Sequence, residues 1–186
     1  MRQVKGTMVL MVVKSIKYMK DKKADYDKLL SNEAKAFLNQ RILSTNWYPY
    51  EPYKECFDAL CSLEAKNDAK IINQWGRVES KRLMTTIYKI SVFKGDIQVA
   101  ADKYSRFHKR VFNFGEITSE IPSDTEIIFT YEDFDPSWEN FYYVGVGYAQ
   151  AFIELCIDKK TDYHFLTKSW KGEGWTQVKL SWPSDV

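Results

Sequence analysis

Residues 114–131 read FGEITSEIPSDTEIIFTY, and residues 138–158 read WENFYYVGVGYAQAFIELCID. The first stretch has a period of two. Ile117, Ser119 and Ile121 alternate with Glu116, Thr118 and Glu120, which is the pattern of a half-buried strand. Pro122-Ser123-Asp124 turns the chain, and Glu126 to Tyr131 returns as a second strand. The second stretch changes period: Tyr148, Ala149, Phe152, Ile153 and Cys156 share one helical face. A helix is therefore predicted from Ser137, whose hydroxyl is suited to cap it, to Asp158. Asp162 to Trp170 and Trp175 to Trp182 then form a last hairpin across Lys171-Gly172-Glu173-Gly174. The order ββαββ predicts an antiparallel sheet with a helix laid across it.

Working outward, residues 97–112 give a clear amphipathic helix, with Ile97, Ala100, Tyr104, Phe107 and Val111 at helical stride. Lys103, Arg106, Lys109 and Arg110 occupy its C-terminal half, where the helix dipole favours cations. Earlier, residues 7–20 form a helical stripe through Met8, Val12 and Met19, and Lys20 to Asp27 is a charged break. Ser31 caps a second helix, Asn32 to Leu43. Pro49 and Pro52 forbid a regular helix through Trp47-Tyr48-Pro49-Tyr50, whose aromatics are expected to plug a turn into the core. A helix follows from Pro52 to Glu64, then one over Ala69 to Trp75, interrupted at Gly76 and continued from Arg77 to Ile90 with Leu83, Ile87 and Ile90 inward. The fold class is α+β: an antiparallel four- to five-stranded sheet (two hairpins, ββαββ) packed with an N-terminal helical bundle. One domain is expected over residues 1–186, helical to about residue 113 and sheet plus helix from about 114.

Composition narrows the function. Of 186 residues, 45% are hydrophobic and 16% aromatic, so the rings either fill a large core or line a cavity. Net charge is +2, too balanced to point to nucleic acid. The three cysteines, Cys56, Cys61 and Cys156, fit no disulfide framework and suit a reducing cytoplasm. The uncharged N-terminal run, Gly6 to Val13, is far too short to span a bilayer.

No catalytic set emerges. His108 and His164 are the only histidines, one in the basic helix and one in a strand, and a metal centre needs more convergent ligands. Cys56 and Cys61 are poorly spaced to ligate together, and Cys156 falls on an apolar stripe. No glycine elbow surrounds a Ser or Cys. Gly145-Val146-Gly147 lies inside an apolar helix with no Lys-Ser/Thr after it, so it is not a phosphate loop. Each of these glycines costs about 1 kcal/mol against Ala in a helix, which points to a close approach by a neighbour or ligand. Glu132, Asp133 and Asp135 form a solvated acidic turn. No catalytic residue, metal or cofactor is expected.

The ordered set Val4-Lys5-Gly6, Trp47-Tyr48-Pro49, Trp75-Gly76-Arg77, Phe114-Gly115-Glu116, Gly145 with Gly147, and the Gly172 to Trp182 ending resembles one superfamily. It holds the haem nitric-oxide-binding domains, the four-vinyl-reductase small-molecule-binding domains, the TRAPP vesicle-tethering subunits and a paralogous family of uncharacterised myxobacterial proteins, the last being most similar. The resemblance implies a non-enzymatic sensory or ligand-binding domain. It also implies a dimer or a partner protein. Two features of the superfamily are missing. The final hairpin has no cysteine to hold zinc, and Tyr104-Ser105-Arg106 lacks the Tyr-x-Ser-x-Arg spacing of the haem branch. The expected protein is haem-free and takes an apolar small molecule. The pocket candidates are Trp47, Tyr48, Trp75, Tyr104, Phe107, Tyr142, Gly145, Tyr148 and Phe152. The alternative is a dimeric, TRAPP-like interaction module with a filled core; an enzyme with an unrecognised site is a third reading.

Overall fold

The computed structural model describes residues 1–86 and 95–184. The expected inward positions Ile87 and Ile90, and the aromatic Tyr88, lie outside the described residues. The chain forms two compact units: Met1–Asp68 with Lys109–Phe114, and Ala69–His108 with Gly115–Val186.

In the first unit β1 (Gln3–Lys5) pairs antiparallel with β2 (Trp47–Pro49), Val4 opposite Tyr48. The aromatic run before the helix is thus a strand, and Trp47 stays 36% exposed where a core plug was expected. Strands of three residues are too short to show a period, which is why the sequence concealed them. Next, α1 (Gly6–Tyr18) buries Met8, Val9, Val12, Val13 and Ile16. The charged stretch expected to be a break forms a 3-10 turn and a helix, α2 (Lys23–Leu29), with only Tyr26 buried. Ser31 Oγ accepts from Ala34 N at 3.1 Å and starts α3 (Asn32–Asn39), as its hydroxyl predicts. Then α4 (Tyr50–Ala65) buries Tyr53, Cys56, Phe57 and Leu60. Residues 109–114 return to this unit, where Asn113 Oδ1 accepts the Gln3 N–H at 2.6 Å.

In the second unit α5 (Ala69–Thr85) runs unbroken through Gly76. Then come α6 (Ile97–Val111), β3 (Glu116–Ser123), β4 (Glu126–Glu132), α7 (Glu139–Ile157), β5 (Asp162–Thr167) and β6 (Thr176–Ser181). The four strands pair antiparallel in the order β3-β4-β6-β5, so the two hairpins meet along β4 and β6. Alternation sends Ile127, Phe129, Tyr131, Val178 and Leu180 inward. The opposite face is polar, with Gln177 Nε2 donating to Thr130 Oγ1 at 3.1 Å and Lys179 paired with Glu126 at 2.8 Å. Ser137 does not cap α7. Its N–H and hydroxyl bind Asp135 Oδ1, at 2.9 and 2.7 Å, and Trp138 holds the cap position.

The tightest packing is α5 against α7. A Cβ on Gly76 would lie 2.1 Å from Val144 O, and one on Gly147 would lie 2.0 Å from Asn73 O. Backbone meets backbone at both points, so nothing soft can yield. Gly145 differs: its Cβ would meet Tyr131 Cε1 at 3.8 Å, an ordinary contact. The close approach predicted from the glycine pair therefore belongs to Gly147, while Gly145 leaves room for a methyl. Gly76→Ala and Gly147→Ala should each lower stability by about 2 kcal/mol through overpacking. Gly145→Ala should hold or raise it, by up to about 1 kcal/mol of helix propensity. Urea titration of the three variants checks the ranking.

Candidate functional site

The interior of the second unit is built by α6, α7 and the inner face of β4 and β6. Tyr104 enters it from α6. Its hydroxyl donates to Gly145 O at 3.1 Å and lies 3.0 Å from the Tyr131 hydroxyl. Since the Tyr104 proton is committed to the carbonyl, Tyr131 donates to Tyr104, giving a directed chain Tyr131→Tyr104→Gly145 O. Burial pushes the Tyr104 and Tyr131 hydroxyls well above the usual tyrosine range, so both stay protonated and neutral. Around them the Tyr104 ring packs on Phe129 at 4.8 Å and on Phe152 at 5.9 Å between centroids.

A second set of hydroxyls lies nearer the loop after β4. Tyr142 Oη donates to Asp135 O at 3.3 Å and lies 3.0 Å from Ser169 Oγ, itself 2.8 Å from Thr176 Oγ1. Phe134 anchors the aromatic wall here. It stacks on Phe141 at 5.0 Å, and Phe141 stacks on Trp138 at 4.9 Å. His108 is buried and meets Phe134 edge-on at 4.7 Å. Gly115, at φ +74°, leaves Phe134 its place, since a Cβ there would fall 2.6 Å from the ring.

At its far end α7 is clamped by charge. Arg77 donates to both oxygens of Glu154, at 2.6 and 2.8 Å. Glu154 Oε1 also accepts the Thr161 N–H at 2.9 Å. Beside them Asn73 Nδ2 donates to Gln150 Oε1 at 3.0 Å, and Gln150 Nε2 donates to Thr161 O at 2.7 Å. Together these side chains tie α5, α7 and the entry to β5.

The structure places the sequence candidates as follows. Tyr104, Phe107, Tyr142, Gly145, Tyr148 and Phe152 are buried on α6 and α7 of the second unit. Trp75 is half-buried on α5. Trp47 and Tyr48 lie on β2 in the first unit. There Tyr48 Oη accepts the Leu43 N–H at 2.7 Å, and the Lys5 ammonium sits 4.7 Å over the Trp47 ring. Tyr104, Gly145 and Phe152 meet directly. Sequence reading missed Tyr131, Phe129 and Ser169. The first two were signalled by the same alternation that marked β4, and Ser169 carried no signal.

Burial pushes the Cys56 thiol up to about 12 and raises Cys61 further, which leaves both protonated at neutral pH. Among the described residues no three His, Cys, Asp or Glu are grouped to hold a metal ion, and no helix is long and apolar enough to cross a membrane.

No family model and no curated protein matches the chain. Solved structures do. The chain is similar to the Fe(II) unliganded H-NOX protein from K. algicida (TM-score 0.68, 8% identity, 98% of each chain). It is also similar to the S. oneidensis H-NOX protein in the Fe(II)NO ligation state (TM-score 0.67, 12% identity, 97% of this chain and 99% of that one). A third likeness is to an oxygen-binding H-NOX domain related to soluble guanylate cyclases, in its oxygen complex (TM-score 0.60, 14% identity, 98% and 96%). The chain has the haem-NO-binding fold.

The Arg77–Glu154 pair sets a pH dependence. Burial raises the Glu154 carboxyl, but the Arg77 and Thr161 hydrogen bonds and the Arg77 and Lys160 charges outweigh it, and the net value lies below the ordinary 4.5. A depressed folded value adds stability above pH 4.5 that is lost as pH falls through the lowered value. Glu154→Gln should cost about 2 kcal/mol at pH 7 by leaving the half-buried Arg77 guanidinium without its charged partner. The deficit should shrink toward pH 3, as read by denaturant midpoints across the acid range.

Proposed function

We propose that this chain is a haem-free, non-catalytic ligand-binding or sensory domain on the H-NOX fold, and that it takes an apolar small molecule. One observation carries the reading: a fold shared over nearly all of the chain with an NO-ligated and an oxygen-binding H-NOX protein encloses an aromatic interior with a hydroxyl chain at its centre. Apolar surface would supply the affinity, at about 25 cal/mol per Å², and the tyrosines the orientation.

Haem does not suit the residues present. A porphyrin needs an iron ligand and donors for its carboxylates. His108 is packed edge-on to Phe134, which Gly115 holds in place. No tyrosine in the chain is followed by x-Ser-x-Arg; the run leaving β4 is Tyr131-Glu132-Asp133-Phe134-Asp135, which offers carboxylates instead. Three buried thiols suit a reducing cytoplasm.

A second reading is a dimeric interaction module with a filled core. It is favoured by the mutual contact of the inner rings, Tyr104 with Phe129 and Phe152, and Tyr131 with Tyr142 at 6.0 Å. Two measurements decide. Added haemin should pass through gel filtration without a retained, histidine-ligated Soret band; a stoichiometric band would contradict the haem-free reading. Native mass spectrometry and displacement of an environment-sensitive dye should show one apolar ligand per chain. Silence in both, with a tight dimer in sedimentation, would favour the filled-core module.

A further inference from the structure

A second aromatic cluster lies at the β5 edge of the sheet, outside the interior just described. Phe165 on β5 meets three rings. Trp170 approaches at 5.1 Å with an 88° interplanar angle, Tyr143 of α7 at 5.6 Å and 85°, and Tyr163 at 5.7 Å and 81°. Tyr143 and Trp170 close the set at 5.9 Å. Unlike the interior rings, Tyr143, Tyr163 and Trp170 are only half-buried. The chain beside them keeps Leu166 and Trp175 open to solvent, at 43% and 48% exposure.

Two further features fix the chemistry of this corner. The Lys168 ammonium lies 5.8 Å from the Phe165 centroid, so the cluster already draws a cation of its own chain. The Tyr143 hydroxyl donates to Glu139 Oε1 at 3.3 Å, which brings an exposed carboxylate to the rim. Perpendicular rings beside a carboxylate attract soft, weakly hydrated cations through the ring quadrupoles. The hydroxyls stay neutral, since burial and then Glu139 raise Tyr143, and burial raises Tyr163.

The geometry points to the Tyr143–Tyr163–Phe165–Trp170 corner as a binding site for a methylated ammonium group, with Lys168 as the internal occupant that the ligand displaces. The group can come from a free choline-type molecule or from a trimethyllysine side chain. The site touches the apolar interior only where Trp170 stacks on Tyr142, at 5.0 Å, and does not depend on that reading.

The test titrates the full chain with choline, with a short trimethyllysine peptide, and with 3,3-dimethylbutan-1-ol, the neutral isostere of choline, following tryptophan fluorescence. Choline or the peptide should saturate, at least tenfold tighter than the isostere; whichever is tighter identifies the source. Glu139→Gln should weaken binding about threefold and Lys168→Met should tighten it about threefold, the scale of exposed cation–π contacts. Both are surface changes that leave the fold intact. Trp170→Leu should abolish binding with an unchanged far-UV spectrum. Equal binding of choline and its isostere, no saturation with either cation, or weaker binding by Lys168→Met would overturn the assignment.

Discussion

The backbone contact between α5 and α7 is the constraint on which the second unit depends. At Gly76 and Gly147 the space for a Cβ is already taken by a carbonyl of the facing helix. Two helices that touch this closely cannot slide or rotate without clash, so the register of α7 is set to within a fraction of a residue. The Ser80 hydroxyl, donating to Tyr148 O at 3.1 Å, and the Arg77–Glu154 pair hold the same register from the side. Once α7 is fixed, Gly145 O faces Tyr104 and Tyr142 faces Ser169.

The interior follows from that placement. Three neutral groups, two phenols and a carbonyl, satisfy one another inside a shell of rings, so burial costs little. The arrangement uses no ionised group at its centre; Glu154 lies farther along α7, where Arg77 of α5 and Lys160 balance its charge and Thr161 donates to it. The edge cluster around Phe165 has the opposite character, with open rings, a lysine and a carboxylate.

Much of this was legible because the periods were clean. The alternation over 116–131 and the helical stride through Tyr104 and Phe107 each survive as observed elements, β3, β4 and α6. What stayed hidden has physical causes. A helix with one buried residue, Tyr26, looks like a charged loop. β1 and β2 take their meaning from pairing with each other, and neither has a period alone. Gly76 was read as an interruption because propensity counts only its cost, whereas its value lies in the helix it touches. Ser137 bonds backward to Asp135 in place of capping forward. Of the interior, Tyr104 and Tyr142 could be picked from stride and Tyr131 from the alternation of β4, but which hydroxyl meets which, and Ser169 altogether, emerge only from the tertiary pairing.

Native-state hydrogen exchange, residue by residue along α7, tests the central claim most directly. If the glycine contacts lock α7 against α5, amides 145–153 should exchange only through global unfolding, with the same free energy as the central amides of β4 and β6. Exchange of these amides at a free energy well below that of the strands would show α7 opening on its own and would contradict the account.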